Sequence, residues 1–527
     1  MTRSQVLKSD LTFSLAVASL LTALQYFSYG NVVFTLWDDG FFWDGSLRAL
    51  DGDVPIRDFT AYDPARYYWS AAFASAFGRG LNINRLSCAI FGSLGLAAAT
   101  FLLQQVLRSR IQVFVAASLV AVSMVWFHRM FGYSAALITI LLGFLVVKSQ
   151  SSKKLSLLGF HTGLLSIFGR NHAIYALIAN IILLALINWH EQFAIVVARF
   201  KSWLLGLLLG LMPFALMLLF IPGLFAANVD WVELLVLSGA LNIPVPFPWF
   251  WQSTSTIDFI SNSFFVVVPI CSLVGIFAGG RAASRQTSSG ALLVAAAPIT
   301  LTFFHSALSR PDLVHLADAS GAFLLTLVGL FYLRPWSLVG GPAVFCLASM
   351  TLFSLTTTVR CHPLMLRASP LESGSEWTTV KIDGVNFHFA PSAYDAFHRL
   401  SDFVQTHVGD ETFALIPDDT AIYGFLGRTS PLFDSFPTRP IITESWERRM
   451  IRSIQRNNVT WILIKPLLVD NRPELFFANS YPLTMDYIAS NFQLMPELSN
   501  ALGRAVYKRQ MSSLPTQIPM GLATAAE

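Results

Sequence analysis

Cysteine is scarce, with four in 527 residues: Cys88, Cys271, Cys346 and Cys361. So few, so far apart, exclude a disulfide framework and a cysteine metal cluster. Cys88, Cys271 and Cys346 lie in apolar runs, where a thiol acts as a small hydrophobe. Charge is also sparse. Asp, Glu, Lys and Arg make up 13% of the chain, about half of the roughly 25% found in soluble domains. That excludes an ordinary cytosolic enzyme, a disordered scaffold and a nucleic-acid binder, despite a formal net charge of +4. No glycine-rich phosphate loop, paired Cys motif or HExxH helix occurs, so neither a nucleotide site nor ATP-derived energy is indicated.

The chain is instead apolar: 54% hydrophobic, with mean hydropathy +0.57. Spanning helices need roughly 17–25 mostly apolar residues. Such runs predict about eleven spans, near 12–29, 86–107, 111–127, 132–147, 155–169, 172–188, 203–221, 261–278, 290–307, 318–333 and 337–358. The shortest, 155–169, carries His161. Lys and Arg collect on the cytoplasmic side of membranes. With the N-terminus inside, every inside loop is basic: Arg3 and Lys8; Arg108 and Arg110; Lys148, Lys153 and Lys154; Arg199 and Lys201; Arg281 and Arg285; Arg334. Omitting the fifth span would put the later basic loops on the wrong side. The first apolar run has no convincing small-x-small cleavage site and reads as an uncleaved first span.

This topology gathers the unusual residues outside. The first outside loop, about 30–85, holds Trp37-Asp38-Asp39-Gly40, Asp44, Arg57-Asp58, Asp63-Pro64 and Arg66. Later short loops hold His128-Arg129, Arg170-Asn171-His172, and Arg310-Pro311-Asp312 with His315. Charged groups at a membrane edge are costly unless paired or wet. Asp38 and Asp39 also fit as helix caps, Asp63-Pro64 as a turn, Arg129 as a snorkelling cation and His305 as a packing residue. Arg170 and Arg310 fit such roles less well, because each sits between close spans on the side that positive charge avoids, with a histidine nearby. Carboxylates act as general bases and arginines grip phosphate. Both together at a membrane face fit a lipid phosphate carrying a group to be transferred.

The aromatic segment 61–78 predicts an interfacial helix. The loop 222–260, with Pro244, Pro246, Pro248, Trp249, Phe250 and Trp251, reads equally as a membrane-dipping flap or an interfacial anchor. Beyond residue 360 the charge content returns to that of a soluble domain. Strands near 379–382 and 385–389 flank an Asp383-Gly384 turn. Helices near 392–407 and 444–457 and strands at 412–416 and 461–464 complete a small α/β domain. The expected architecture is a helical membrane domain (1–359) followed by an extracytoplasmic α/β domain (360–527). Asn458-Val459-Thr460 matches a glycosylation acceptor.

These residues resemble the GT-C superfamily of polytopic glycosyltransferases, which includes the protein O-mannosyltransferase and aminoarabinose-transferase types. The resemblance rests on the acidic pair Asp38-Asp39 just after the first span, the long first outside loop, the segment Asp53-Val54-Pro55-Ile56-Arg57-Asp58-Phe59 and a soluble domain after the last span. The commoner acidic pair is Asp-Glu; here Asp39 stands second, which leaves open which carboxylate is the base. The resemblance implies inverting transfer of a sugar from a polyprenyl-phosphate donor to a lipid, glycan or protein acceptor. By position Asp38 would be the base and Asp39 its orienting partner. Arg170, His172, Arg310, Asp312, His315, Asp63 and Arg66 would contact the donor phosphate and substrate. No cofactor is required, although a divalent cation at Asp38 or Asp63 is left open because some relatives depend on metal. The lack of eukaryotic retention signals points to a bacterial inner membrane as its home. Two other readings compete: a polytopic transporter or lipid flippase, and a non-catalytic assembly partner. Transporters favour charges near the midplane and internal repeats; here charge lies at one face and no repeat is seen.

Overall fold

A computed structural model describes residues 3–124, 126–238, 245–283, 287–333 and 377–510. The first part of the chain is helical: α1 (Arg3–Tyr29), α2 (Asp38–Leu50), α3 (Pro64–Phe77), α4 (Leu81–Gln104), α5 (Arg110–Ser123), α6 (Met130–Lys148) and α7 (Ser152–Phe168). There follow α8 (Arg170–Asn188), α9 (Phe193–Phe220), α10 (Leu224–Ser238), α11 (Thr256–Ala283), α12 (Ser288–Phe303), α13 (His305–Ser309) and α14 (Leu313–Leu333). Among the described residues, eight helices are long and apolar enough to cross a membrane: α1, α4, α6, α8, α9, α11, α12 with α13, and α14.

Ten of the eleven expected spans fall on helices, and the last, 337–358, lies outside the described residues. Two of the ten are shorter than a full crossing. Helix α5 starts after Ser109, whose hydroxyl accepts from Ile111 N–H, and stops at Met124 outside helical geometry. Helix α7 has 17 residues, with Lys153 and Lys154 in its first turn, and ends at Gly169. The expected interfacial helix is α3, with Pro64 at its first turn, where the missing N–H costs nothing. In the 222–260 loop, α10 makes the first part helical; Pro244 lies outside the described residues.

Apolar side chains gain little by leaving lipid for a protein interior, so membrane helices associate through close packing of small residues. Gly159 and Gly163 of α7 face Gly206 and Gly210 of α9, and a Cβ on any of the four would run into the facing main chain. Helix α12, with Ala291, Ala295, Ala296 and Ala297 buried, packs against α6, α8, α11 and α14.

The C-terminal region is mixed α/β. Strands β2 (Thr378–Ile382) and β3 (Val385–Phe389) form the expected hairpin, with Asp383 and Gly384 both at positive φ as its tight turn requires. The other sheet holds β4 (Phe413–Ile416), β5 (Trp461–Ile464), β6 (Phe492–Leu494) and β7 (Ala505–Arg509), in the order β4-β5-β7-β6. The parallel pair β4/β5 is buried along its whole length, as its unbroken apolar runs demand. Helices α15 (Pro391–Phe403) and α17 (Glu444–Arg456) match the expected ones, with α16 (Ala421–Phe425) between them.

One strand of this region comes from far upstream. β1 (Val32–Val33), between α1 and α2, pairs in parallel with β3, Val32 against His388 and Val33 against Phe389. The first loop is bound to the C-terminal region elsewhere too. Thr60 N–H donates to Phe433 O at 2.8 Å, Ser430 N–H to Asp44 Oδ1 at 2.8 Å, and Arg449 Nη2 to Ile56 O at 2.9 Å. Sequence order alone separates the two parts; hydrogen bonding joins the first loop to the C-terminal sheet.

Candidate functional site

The charged residues of the first loop and later hairpins gather at the end of the bundle that carries the α/β region, in two clusters. The first begins at α2. Asp38 supplies its first residue, and the Asp38 side chain lies outside the described residues. Asp39 does not cap the helix; no side chain does. Its carboxylate accepts from Arg85 (Nη2 at 2.5 Å, Nε at 3.1 Å) and meets His128 Nδ1 at 3.0 Å. Arg85 also donates to Gly30 O and Val32 O, 3.0 and 2.7 Å away, tying the end of α1 to the acidic turn. Burial works to raise the Asp39 pKa, but Arg85 and His128 outweigh it and hold the carboxyl well below the usual range.

From His128 the cluster continues through Arg129. Arg129 Nη1 donates to Asp318 at 2.9 Å, and its Nη2 lies 3.4 Å from His315 Nε2. His315 Nδ1 meets Asp312 at 2.8 Å, and Arg310 Nε donates to Asp312 at 3.1 Å. Arg310 then grips Asp470 of the C-terminal region with both Nη atoms, at 2.8 and 2.9 Å. Burial opposes ionisation of Asp312, yet His315 and Arg310 lower its pKa. Among the described residues, every guanidinium here has a carboxylate partner.

The second cluster is built differently. Asp63 is buried beneath Arg170, whose Nε donates to Oδ1 at 2.7 Å and whose main-chain N–H donates to Oδ2 at 3.1 Å. Arg170 also donates to Asn228 Oδ1 (3.0 Å) and Tyr62 O (3.3 Å), and lies 3.7 Å over the Trp231 ring. Burial raises the Asp63 pKa, against the pull of Arg170 and Arg66. Arg66, on α3, is buried but has only neutral hydrogen-bond partners: the carbonyl of Phe168 and His172 Nδ1, the latter 3.1 Å from Nη2. A Cβ at Gly169 would collide with His172 and Arg66, so the glycine makes room for that contact. Burial lowers the Arg66 pKa, and Asp63 opposes that. Among the described residues this cluster has two guanidinium groups and one carboxylate, leaving positive charge uncompensated.

Aromatic rings connect the clusters. Phe41 packs on Tyr62 at 5.4 Å between centroids, and Arg66 lies 5.6 Å from the same ring, so the acidic turn and the guanidinium share it. On the other side, His172 stacks on Phe303, Tyr175 meets His305 Nδ1 at 2.9 Å, and Ser306 donates to Asp318 at 3.0 Å. His305, expected to be a packing residue, is exposed and meets Tyr175 instead. No three His, Cys, Asp or Glu side chains converge as a metal ligand set among the described residues.

Comparison with known proteins adds the following. No family model and no curated protein matches the sequence. Among solved structures, the chain is similar to ArnT from Cupriavidus metallidurans. For its crystal structure in the apo state, sequence identity is 11% and the TM-score 0.48, with 95% of this chain and 98% of that chain covered. For ArnT bound to undecaprenyl phosphate, identity and TM-score are the same, with 94% and 98% covered.

The residues expected to contact the donor fall into three groups: Asp63 with Arg170, Arg66 with His172, and Arg310 with Asp312 and His315; Asp39 stands apart from them with Arg85 and His128. Arg170 pairs with Asp63 of the first loop, and Arg310 with Asp470 of the C-terminal region. The sequence reading named His128 among the outside residues but gave it no role, and it missed Arg85, Asp318 and Asp470 as members of the network. For Asp318 a signal existed, since an acid inside an apolar run is a functional candidate by default. For Asp470 none did, because the partner is 160 residues away.

Proposed function

We propose that the chain is a membrane glycosyltransferase that moves a sugar from a polyprenyl-phosphate-linked donor to an acceptor hydroxyl. The observation that carries this reading is Arg66: a buried guanidinium without a carboxylate partner among the described residues, sharing the Tyr62 ring with the helix that Asp38 opens. Keeping such a cation uncompensated costs free energy, and a phosphate anion offsets it. Planar paired N–H donors suit phosphate oxygens.

In this reading Asp38 takes the proton from the acceptor hydroxyl. The resulting oxygen forms a bond to the anomeric carbon on the face opposite the phosphate, while the bond from that carbon to the phosphate oxygen breaks. The leaving phosphate keeps the electron pair, and the sugar inverts. Arg66 and His172 receive the phosphate; Arg170, with Asp63, and the Arg310–Asp312–His315 group hold the surrounding field. Both Asp39 oxygens are already taken by Arg85 and His128, which stabilise its charged form, and this favours Asp38 as base and Asp39 as the group that orients it. The guanidinium groups supply the positive charge, so no cofactor is required. A divalent ion at Asp38 enters only if a chelator abolishes turnover. The acceptor is a lipid, glycan or protein. The N-terminus lies in the cytoplasm of a bacterial cell and the α/β region outside the inner membrane, in keeping with the basic loops.

The test is Asp38→Asn in vesicles supplied with a polyprenyl-phosphate-linked sugar. A positioned base contributes about 10²–10⁴-fold, so release of polyprenyl phosphate is expected to drop by that factor with the protein still folded. Full turnover by the variant would overturn the assignment. Lipid-linked sugar crossing the bilayer without bond cleavage would favour the flippase reading instead.

A further inference from the structure

The acidic turn has main-chain and side-chain contacts on both sides of Asp38, and on each side the C-terminal region supplies some of them. Before Asp38, Leu36 O accepts from Ala421 N–H at 3.1 Å, and Trp37 Nε1 donates to Asp419 Oδ1 at 3.1 Å. After it, Asp39 is held by Arg85 and His128. Gly40 then presses on Ala421, where a Cβ would come within 2.5 Å of the Ala421 nitrogen. Upstream, β1 is a strand of the sheet that contains β3.

Asp419 is prepared for this contact. It is buried, and it sits at φ +69°, a left-handed conformation uncommon for a residue with a side chain. Its second oxygen is occupied by Arg504 and lies 3.5 Å from Lys465 Nζ, which leaves Oδ1 for the indole. Lys465 also pairs with Asp418 at 3.0 Å and stands 5.1 Å from the Trp37 ring centroid. Held conformations of this kind mark sites where placement matters more than local comfort. Trp37 itself is 39% exposed; burial alone does not fix its position.

We propose that Asp419, acting through the Trp37 indole, is a positioning residue for the Asp38 carboxylate, so that the C-terminal α/β region sets the geometry of the catalytic turn. This rests on the glycosyltransferase reading above. Small displacements of a catalytic group cost large factors in rate; loss of the indole bond therefore acts on the chemical step more than on donor binding.

The decisive variant is Trp37→Phe, which keeps an aromatic face for Lys465 and removes only the N–H donor. In the full-length protein, kcat for release of polyprenyl phosphate from a polyprenyl-phosphate-linked sugar is expected to fall about ten- to a hundredfold. KM for the donor should stay within about twofold, and the melting temperature should not change. Asp419→Asn, which retains Oδ1 as acceptor, should keep more activity than Asp419→Ala. Adding Trp37→Phe to Asp419→Ala should cost nothing further, because the two share one interaction. Wild-type kcat in Trp37→Phe, or additive losses in the double variant, would overturn the proposal even if Asp419→Ala fails to fold. If Asp38→Asn is inactive while Trp37→Phe has wild-type kcat, only this inference falls. If Asp38→Asn turns over normally, the function falls first.

Discussion

The two charged clusters lie side by side, yet they are balanced in opposite ways. Around Asp39, Asp312 and Asp318, each guanidinium is matched by a carboxylate. Around Arg66 the match among the described residues is incomplete, and the surplus there is positive. A closed ion network resists change and fixes the chain; an open one waits for a counter-ion. On the proposed function, the closed cluster holds the acidic turn in place and the open one binds the donor phosphate, and substitutions can pull the two apart.

The largest expected effect is on stability. Asp39→Ala would leave Arg85 buried without its partner, a loss of about 3–5 kcal/mol, measured by thermal melting in detergent. Arg66→Met, by contrast, should preserve melting while lowering turnover by about 10²-fold, the usual scale for removing one donor to a developing anion. Equal melting losses in the two variants would erase the distinction.

A smaller effect concerns pH, and its sign differs between the clusters. Asp39 has a folded pKa below the ordinary value of 3.8, so it contributes stability above about pH 4 that is lost on acidification. Asp63 has a folded pKa above 3.8. It contributes most below that value, and the contribution fades as pH rises through the folded pKa. Melting profiles of Asp39→Asn and Asp63→Asn between about pH 3 and 7 should therefore deviate from the parent with opposite slopes. The smallest effect belongs to Arg310. Its bond to Asp470 is partly exposed on both sides, so Arg310→Ala should cost only about 0–1 kcal/mol, read from the same melts.

Much of the fold was legible because membrane helices and tight hairpins are local. The scarcity of charge declared the membrane, the apolar runs located ten helices, and Asp383-Gly384 marked a turn whose positive φ angles the structure bears out. Helix lengths were less so. Lys153 and Lys154 belong to α7 and shorten its apolar part, while Arg199 and Lys201 lie within the longer α9. The strand β1 was invisible: two valines carry no period, and their partner lies more than 350 residues later. The site was legible in its membership more than its pairing. Arg170 stood out as a cation in an improbable place, but nothing local to it names Asp63, which precedes α3, or Asn228 and Trp231, which α10 brings to it.

The two-residue pairing of Val32 and Val33 with β3 bears on how the molecule comes into being. A ribosome makes these valines before the rest of the helical bundle and their partner only after it. The turn that bears Asp38 therefore stays without its supporting strand through most of translation. A chain released early, with every helix up to Leu333 in place, would lack the strand that braces this turn.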